Sequence, residues 1–280
     1  MQFHNSNADL FVPDGLDPAA ALARTTHLCV SAHQDDIEIM AYHGIAECFG
    51  SPDKWFTGVV VTNGAGSPRS GIYAGYTDDD MQQVRRLEQR KAAYVGDYAC
   101  QLQLGFTSAQ VKNARETAVV DDLERIFRAA RPEVVYLHNL ADKHETHVAV
   151  ALRSLAALRA ARAEARPRKV YGCEVWRDLD WLPDDAKQAL PVSARSNIAA
   201  ALVGVFDSQV TGGKRYDLAT AGRRLAHATY FASHGTDQES ALSFAMDLTP
   251  LVDDPAMPVA DYVLSFVDRF RADVEKKLRV

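Results

Sequence analysis

Two spacings of apolar residues alternate along the first two-thirds of the chain. Short β-prone runs occupy residues 26–31 (THLCVS), 56–62 (FTGVVVT), 98–105, 134–137 and 170–175. Between them, residues 37–49, 79–96, 116–130 and 146–162 carry apolar positions at helical spacing. Thr77 and the three aspartates after it mark one helix start, because their side chains can accept from free amides and complement the dipole. Beyond about residue 217 the pattern is mainly helical, with Pro250, Pro255 and Pro258 separating two helices. Strand–helix alternation implies parallel strands joined by right-handed crossovers. The predicted fold is therefore a three-layer, Rossmann-like α/β domain with a mostly parallel sheet and a mainly helical C-terminal extension. No internal repeat or low-complexity linker interrupts it. We divide the chain into an N-terminal segment (1–25), a catalytic domain (26–212) and an extension packed on that domain (213–280). Sheets of this kind bind ligands at the C-terminal ends of their strands, so functional residues are expected after the first, second and fourth strands.

The residues at two of those exits are chemically loaded. The first strand runs into His33-Gln34-Asp35-Asp36-Ile37-Glu38, and the fourth into His138 and then Asp142-Lys143-His144-Glu145-Thr146-His147. Two imidazoles and one carboxylate give zinc three protein ligands and leave a position for water. The same set also suits Fe(II) in a facial triad. Zinc brings the pKa of its water towards ~7 and polarises a carbonyl. A neighbouring carboxylate can take the proton as water attacks, so adjacent Asp35 and Asp36 suit a division between metal and water. An imidazole on the other side can stabilise the oxyanion or protonate a leaving amine. His138 reads as a strand-end residue behind the ligands.

These motifs resemble the PIG-L/LmbE family of zinc-dependent deacetylases. Ala32–Glu38 looks like its A-H-P-D-D-x-E signature, and Asp142-x-His144-x-x-His147 its D-x-H-x-D-H motif. Arg85-x-x-Glu88 is similar to the helix between them, and Asp207-Ser208-Gln209 to a weaker Ser-Gln motif near the end of a likeness covering roughly residues 25–212. The resemblance implies that His33, Asp36 and His147 bind zinc, that Asp35 is the general base, and that His144 serves the oxyanion or the leaving amine. Arg85 is then expected to hold substrate hydroxyls, with Asp142 a further substrate contact. Gln34 stands where the family has Pro. Thr146 stands where it has Asp, so the partner of one imidazole is either missing or supplied from elsewhere. His43-Gly44 stands where a Gly pair is common.

The pocket walls are expected from loops at the same edge. Residues 64–76 contain Arg69, Tyr73 and Tyr76 among glycines, which suits a wall that stacks on a sugar face. Trp176 and Arg177 follow the fifth strand, and Lys214-Arg215 lie further on. The expected reaction is hydrolysis of an N-acyl group, acetyl first, from an amino-sugar-type substrate. The alternatives are an amidase acting on a larger amino-sugar conjugate or natural-product intermediate, and a sugar-binding homologue without turnover. A net charge of −6 argues against a nucleic-acid partner. No apolar run is long enough to span a bilayer. Four scattered cysteines without a C-x-x-C pair fit a reducing, cytoplasmic setting. A mononucleotide-binding domain is disfavoured because neither G-x-G-x-x-G nor a P-loop is present. The expected partner is a small N-acylated molecule, and the helical tail suits a homo-oligomer.

Overall fold

The computed structural model describes residues 1–279. Its eight strands are β1 (Asp9–Phe11), β2 (His27–Ser31), β3 (Phe56–Thr62), β4 (Cys100–Phe106), β5 (Val134–His138), β6 (Lys169–Cys173), β7 (Lys187–Pro191) and β8 (Leu242–Asp247). They form one sheet in the order β1-β4-β3-β2-β5-β6-β8-β7. The central five, from β4 to β6, are parallel, and β1, β7 and β8 pair antiparallel at the edges. The α/β class and mostly parallel sheet are those expected.

Strands buried on both faces explain the two halves of the core. Leu28 and Val30 of β2 face one layer, where they join apolar side chains of α6 (Ala118–Ala130) and α7 (Glu145–Ala160). Cys29 faces the other, with α2 (Asp36–Met40), α3 (Tyr42–Cys48), α4 (Asp78–Val95) and α8 (Ser196–Gly204). Short α1 (Pro18–Ala23), α5 (Ser108–Lys112), α9 (Asp207–Val210) and α11 (Thr249–Asp253) fill gaps, while α10 (Tyr216–Tyr230) packs on β8 and α12 (Val259–Lys277) closes the described chain.

Three details differ from the sequence-based elements. The helix expected over 37–49 is two helices meeting at Ala41, whose φ of −113° breaks the first. The strand expected to reach Val175 stops at Cys173. The C-terminal region also supplies β8, a strand of Leu, Ala and Met that reads as helix locally. Pairing on both edges with β6 and β7 overrides that preference.

The topology fixes where a ligand can enter. From β2 the chain builds outward through β3 and β4, then returns to place β5 on the other side of β2. The crevice at such a reversal opens beyond the carboxyl ends of β2 and β5.

Candidate metal centre and pocket

Both loaded motifs open into that crevice. Beyond β2 the backbone turns sharply at Asp35, which holds φ = 84° without being glycine, an unfavourable geometry that recurs at functional sites. The turn aims Asp36 and its neighbours across towards β5. Asp36 Oδ2 accepts from the His33 amide at 2.8 Å and lies 3.2 Å from His33 Nδ1 and 3.3 Å from His147 Nε2. His33 Nδ1 and His147 Nε2 are 3.2 Å apart. Bonds of about 2.0–2.1 Å at tetrahedral angles would set three donors about 3.3–3.4 Å apart. The observed triangle matches that edge length, so these residues fit a zinc-sized divalent ion.

The surrounding groups separate into those behind the triangle and those in front. His138 is fully buried and its Nε2 accepts from the Ala32 amide at 2.9 Å, which engages that lone pair. Burial pushes its imidazole well towards the neutral form this bond needs. Asp142 receives the His144 amide at 2.9 Å and the Trp176 amide at 3.1 Å, and its Oδ2 lies 3.5 Å from His147 Nδ1. It stands behind a ligand-position imidazole, where the sequence reading had made it a substrate contact. This is the partner that Thr146 does not supply. Burial alone would raise the Asp142 carboxyl, but the His147 ring and the His144 amide outweigh it and hold it low. His144 stacks on His147 with ring centroids 4.5 Å apart, and its Nδ1 has no hydrogen-bond partner.

Asp35 and Asp36 are driven apart electrostatically. Burial tends to raise both. For Asp36 the His147 charge and the His33 hydrogen bond win, and its carboxyl stays well below the ordinary range. For Asp35 burial wins, with the charge of Asp36 adding to it against Arg85, and its carboxyl is raised.

Arg85 does not reach the pocket as a free guanidinium. It is 1% exposed, donates to Asp35 Oδ2 at 3.0 Å and to the Gln34 carbonyl, and lies 3.7 Å from Glu88. Glu88 in turn accepts from both the amide and the hydroxyl of Ser208 at 2.7 Å, joining the R-x-x-E helix to the Ser-Gln segment. Gly64 permits this close arrangement. Its φ is +76°, and a Cβ there would lie 2.6 Å from Gln34 Oε1 and 3.2 Å from Arg85 Cβ.

The expected wall residues are partly occupied elsewhere. Arg69 donates to the Ala65 and Tyr76 carbonyls and pairs with Asp78, so it braces its own loop. Tyr73 donates to Asp207 at 2.6 Å, tying that loop to α9. Arg177 is exposed, while Trp176 is half-buried, edge-on to Tyr216 at 6.1 Å and under Lys214 Nζ at 5.1 Å. His43 bonds Tyr136 on the helix face. Sequence reasoning missed Tyr216, which packs edge-on to Trp176 and whose phenol is raised first by burial and then by the charges of Asp35 and Asp36. It also missed the supports of α2. Glu38 Oε1 accepts from Gln89 and Tyr98 at 2.8 Å, and buried Arg224 donates to the Glu38 and Ile39 carbonyls. No local pattern links Arg224 to a helix about 185 residues earlier.

Residues 28–161 match the PIG-L family model, described as GlcNAc-PI de-N-acetylase. Over that stretch the chain is similar to the PIG-L family. The match spans β2 to α7 and so contains every residue of the donor triangle, whereas Trp176, Ser208, Tyr216 and Arg224 lie outside it. No curated protein gives a significant match. Among solved structures, GalB, the 4-carboxy-2-hydroxymuconate hydratase of Pseudomonas putida, shares 17% identity over 80% of this chain and 95% of its own, with a TM-score of 0.62. The N,N'-diacetylchitobiose deacetylase of Pyrococcus horikoshii shares 12% over 86% and 89%, with 0.65. A zinc-inhibited form of teicoplanin deacetylase Orf2 shares 17% over 79% and 97%, with 0.55. At these identities the likeness is one of fold. It covers more of the chain than the family match does.

Proposed function

We propose that this protein is a metal-dependent hydrolase that removes an N-acyl group, acetyl first, from an amino-sugar-type substrate. The donor triangle of His33, Asp36 and His147, with Asp35 and His144 beside it, carries the reading. The PIG-L match over residues 28–161 and fold-level likeness to two deacetylases support the acyl-amide substrate. Zinc is the metal we assign to the triangle, and Fe(II) is the competing ion for the same donors.

A bound divalent ion would supply Lewis acidity to the attacking water and the acyl carbonyl. The protein's own groups do the rest. Asp35 takes a proton from water as its oxygen adds to the acyl carbon. Arg85, and the hydrogen bond that the Asp35 amide donates to Gln89 Oε1, hold that carboxylate in place, so Arg85 acts on substrate through Asp35. Asp142 keeps His147 oriented from behind. His144, half-buried beside the triangle, offers its imidazole to the oxyanion or to the leaving nitrogen. As the C–N bond breaks, the nitrogen takes up a proton, leaving a carboxylate and a free amine. Trp176 and Tyr216 give the pocket an aromatic rim for a sugar face, with Arg69, Tyr73 and Arg177 as the outer wall.

The test is metal analysis of protein purified without added metal, followed by acetate release from a panel of N-acetylated amino sugars. One equivalent of zinc with acetate release that Asp35→Asn abolishes is the expected result. Stoichiometric metal with no acetate, but with release of longer acids from larger conjugates, would select the amidase alternative. Absence of any hydrolysis across both panels would overturn the reading. The likeness to GalB makes an unsaturated hydroxy acid the right control for water addition to a C=C bond.

A further inference from the structure

The final helix poses a packing problem that lies away from the metal centre. Its first half is docked: Tyr262 donates to the Asp247 carbonyl, Val263 is buried, Tyr262 and Phe266 pack on the core, and Arg269 pairs with Asp185. Every residue from Val267 to Arg279 is exposed. Yet this projecting half is not polar all round. Leu264, Val267, Phe270, Val274 and Leu278 are each 39% to 80% exposed. At about 100° per residue, they fall within roughly a 120° arc on one side of the helix. An isolated helix of this length with a bare apolar stripe is marginal in water.

We propose that this stripe binds a second copy of the same chain, with the two α12 helices antiparallel about a two-fold axis near Phe270. The order of residues specifies the occupant. The residue types at Leu264, Val267, Phe270, Val274 and Leu278 read the same in both directions, and reversing a copy about a point between Phe270 and Arg271 sets Val267 on Val274, with Leu264 within one residue of Leu278 and Phe270 within one residue of its own copy. A self-complementary patch of this kind is what an isologous contact requires.

Charge favours the same orientation. The first half of α12 carries only acids, Asp261 and Asp268, whereas residues 269–279 carry five bases against two acids. Antiparallel pairing sets Asp261 near Arg279 of the second copy. Arg271 of each copy then lies between the carboxylates of Asp268 and Glu275 that would otherwise meet. Parallel pairing would place the basic ends together, with the helix dipoles aligned.

Sedimentation equilibrium of the full chain tests the proposal. Wild type is expected to approach twice the chain mass by about 100 μM, and Phe270→Glu and Val274→Glu to stay at single-chain mass with unchanged circular dichroism. Orientation is read with a short bis-maleimide, since all four native cysteines are buried. Phe270→Cys should cross-link to itself, Leu264→Cys alone should not, and the Leu264→Cys/Leu278→Cys double variant should. A wild-type monomer at that concentration, a dimer indifferent to Phe270→Glu, or efficient self-linking of Leu264→Cys would each overturn it. So would a monomer whose stripe instead binds phosphatidylcholine vesicles.

Discussion

Replacing Glu38 by Gln should change how stability depends on pH while leaving the fold intact. Glu38 is fully buried one turn beyond Asp35, and burial pushes its carboxyl from an ordinary 4.5 up to about 8, against the hydrogen bonds from Tyr98 and Gln89. A folded protein that holds this proton more tightly than the unfolded chain gains stability that is complete below pH 4.5. That gain is lost as pH rises through about 8. At about 1.4 kcal/mol per pH unit, the coupling is on the order of 5 kcal/mol over the whole window, of which about 3 kcal/mol falls between pH 5.5 and 8. Gln keeps the carbonyl oxygen that accepts from Gln89 and Tyr98, and it cannot ionise. Urea denaturation of both proteins at pH 5.5, 7 and 8.5 measures the difference. The variant should gain on wild type as pH rises, by about 3 kcal/mol, and overtake it at the alkaline end. A stability gap that stays constant across the three pH values would refute the reasoning.

Other expectations follow from the same geometry. Asp142→Ala should weaken metal binding about 10–100-fold, read by chelator competition, because His147 loses the carboxylate behind its Nδ1. Stripping the metal should lower stability by about 3–4 kcal/mol relative to protein held at 100–1,000 times the dissociation constant, seen as a fall in Tm that zinc restores. Arg224→Leu should cost about 2–4 kcal/mol, because two carbonyls at the end of α2 lose their donor in a buried setting. A Tm within a degree of wild type would count against that role.

The cluster that forms the candidate donor set was legible because its parts are local. His33, Asp35 and Asp36 share one turn, His144 and His147 share another, and each turn follows an apolar run that reads as a strand. What lies behind them was not legible, because it depends on which distant segments meet. Arg85 reads as a charged helix residue, and only the tertiary packing shows it spent on Asp35 and Glu88. Asp142 sits in the same motif as the proposed ligand His147, so proximity in sequence hid that it faces the rear of that ring. β8 was missed for a related reason: its side chains do not favour a strand until two neighbouring strands pair with it.

The left-handed backbone at Asp35 has a consequence for anyone who tries to make this protein more heat-resistant. Glycine would relieve the strain at that position, yet it would also strip the buried Arg85 guanidinium of its carboxylate, so melting temperature alone sets two opposed terms against each other there. The same change would remove the carboxylate we assign to the attacking water. In this chain the most comfortable backbone and the working enzyme ask for different residues at the same place.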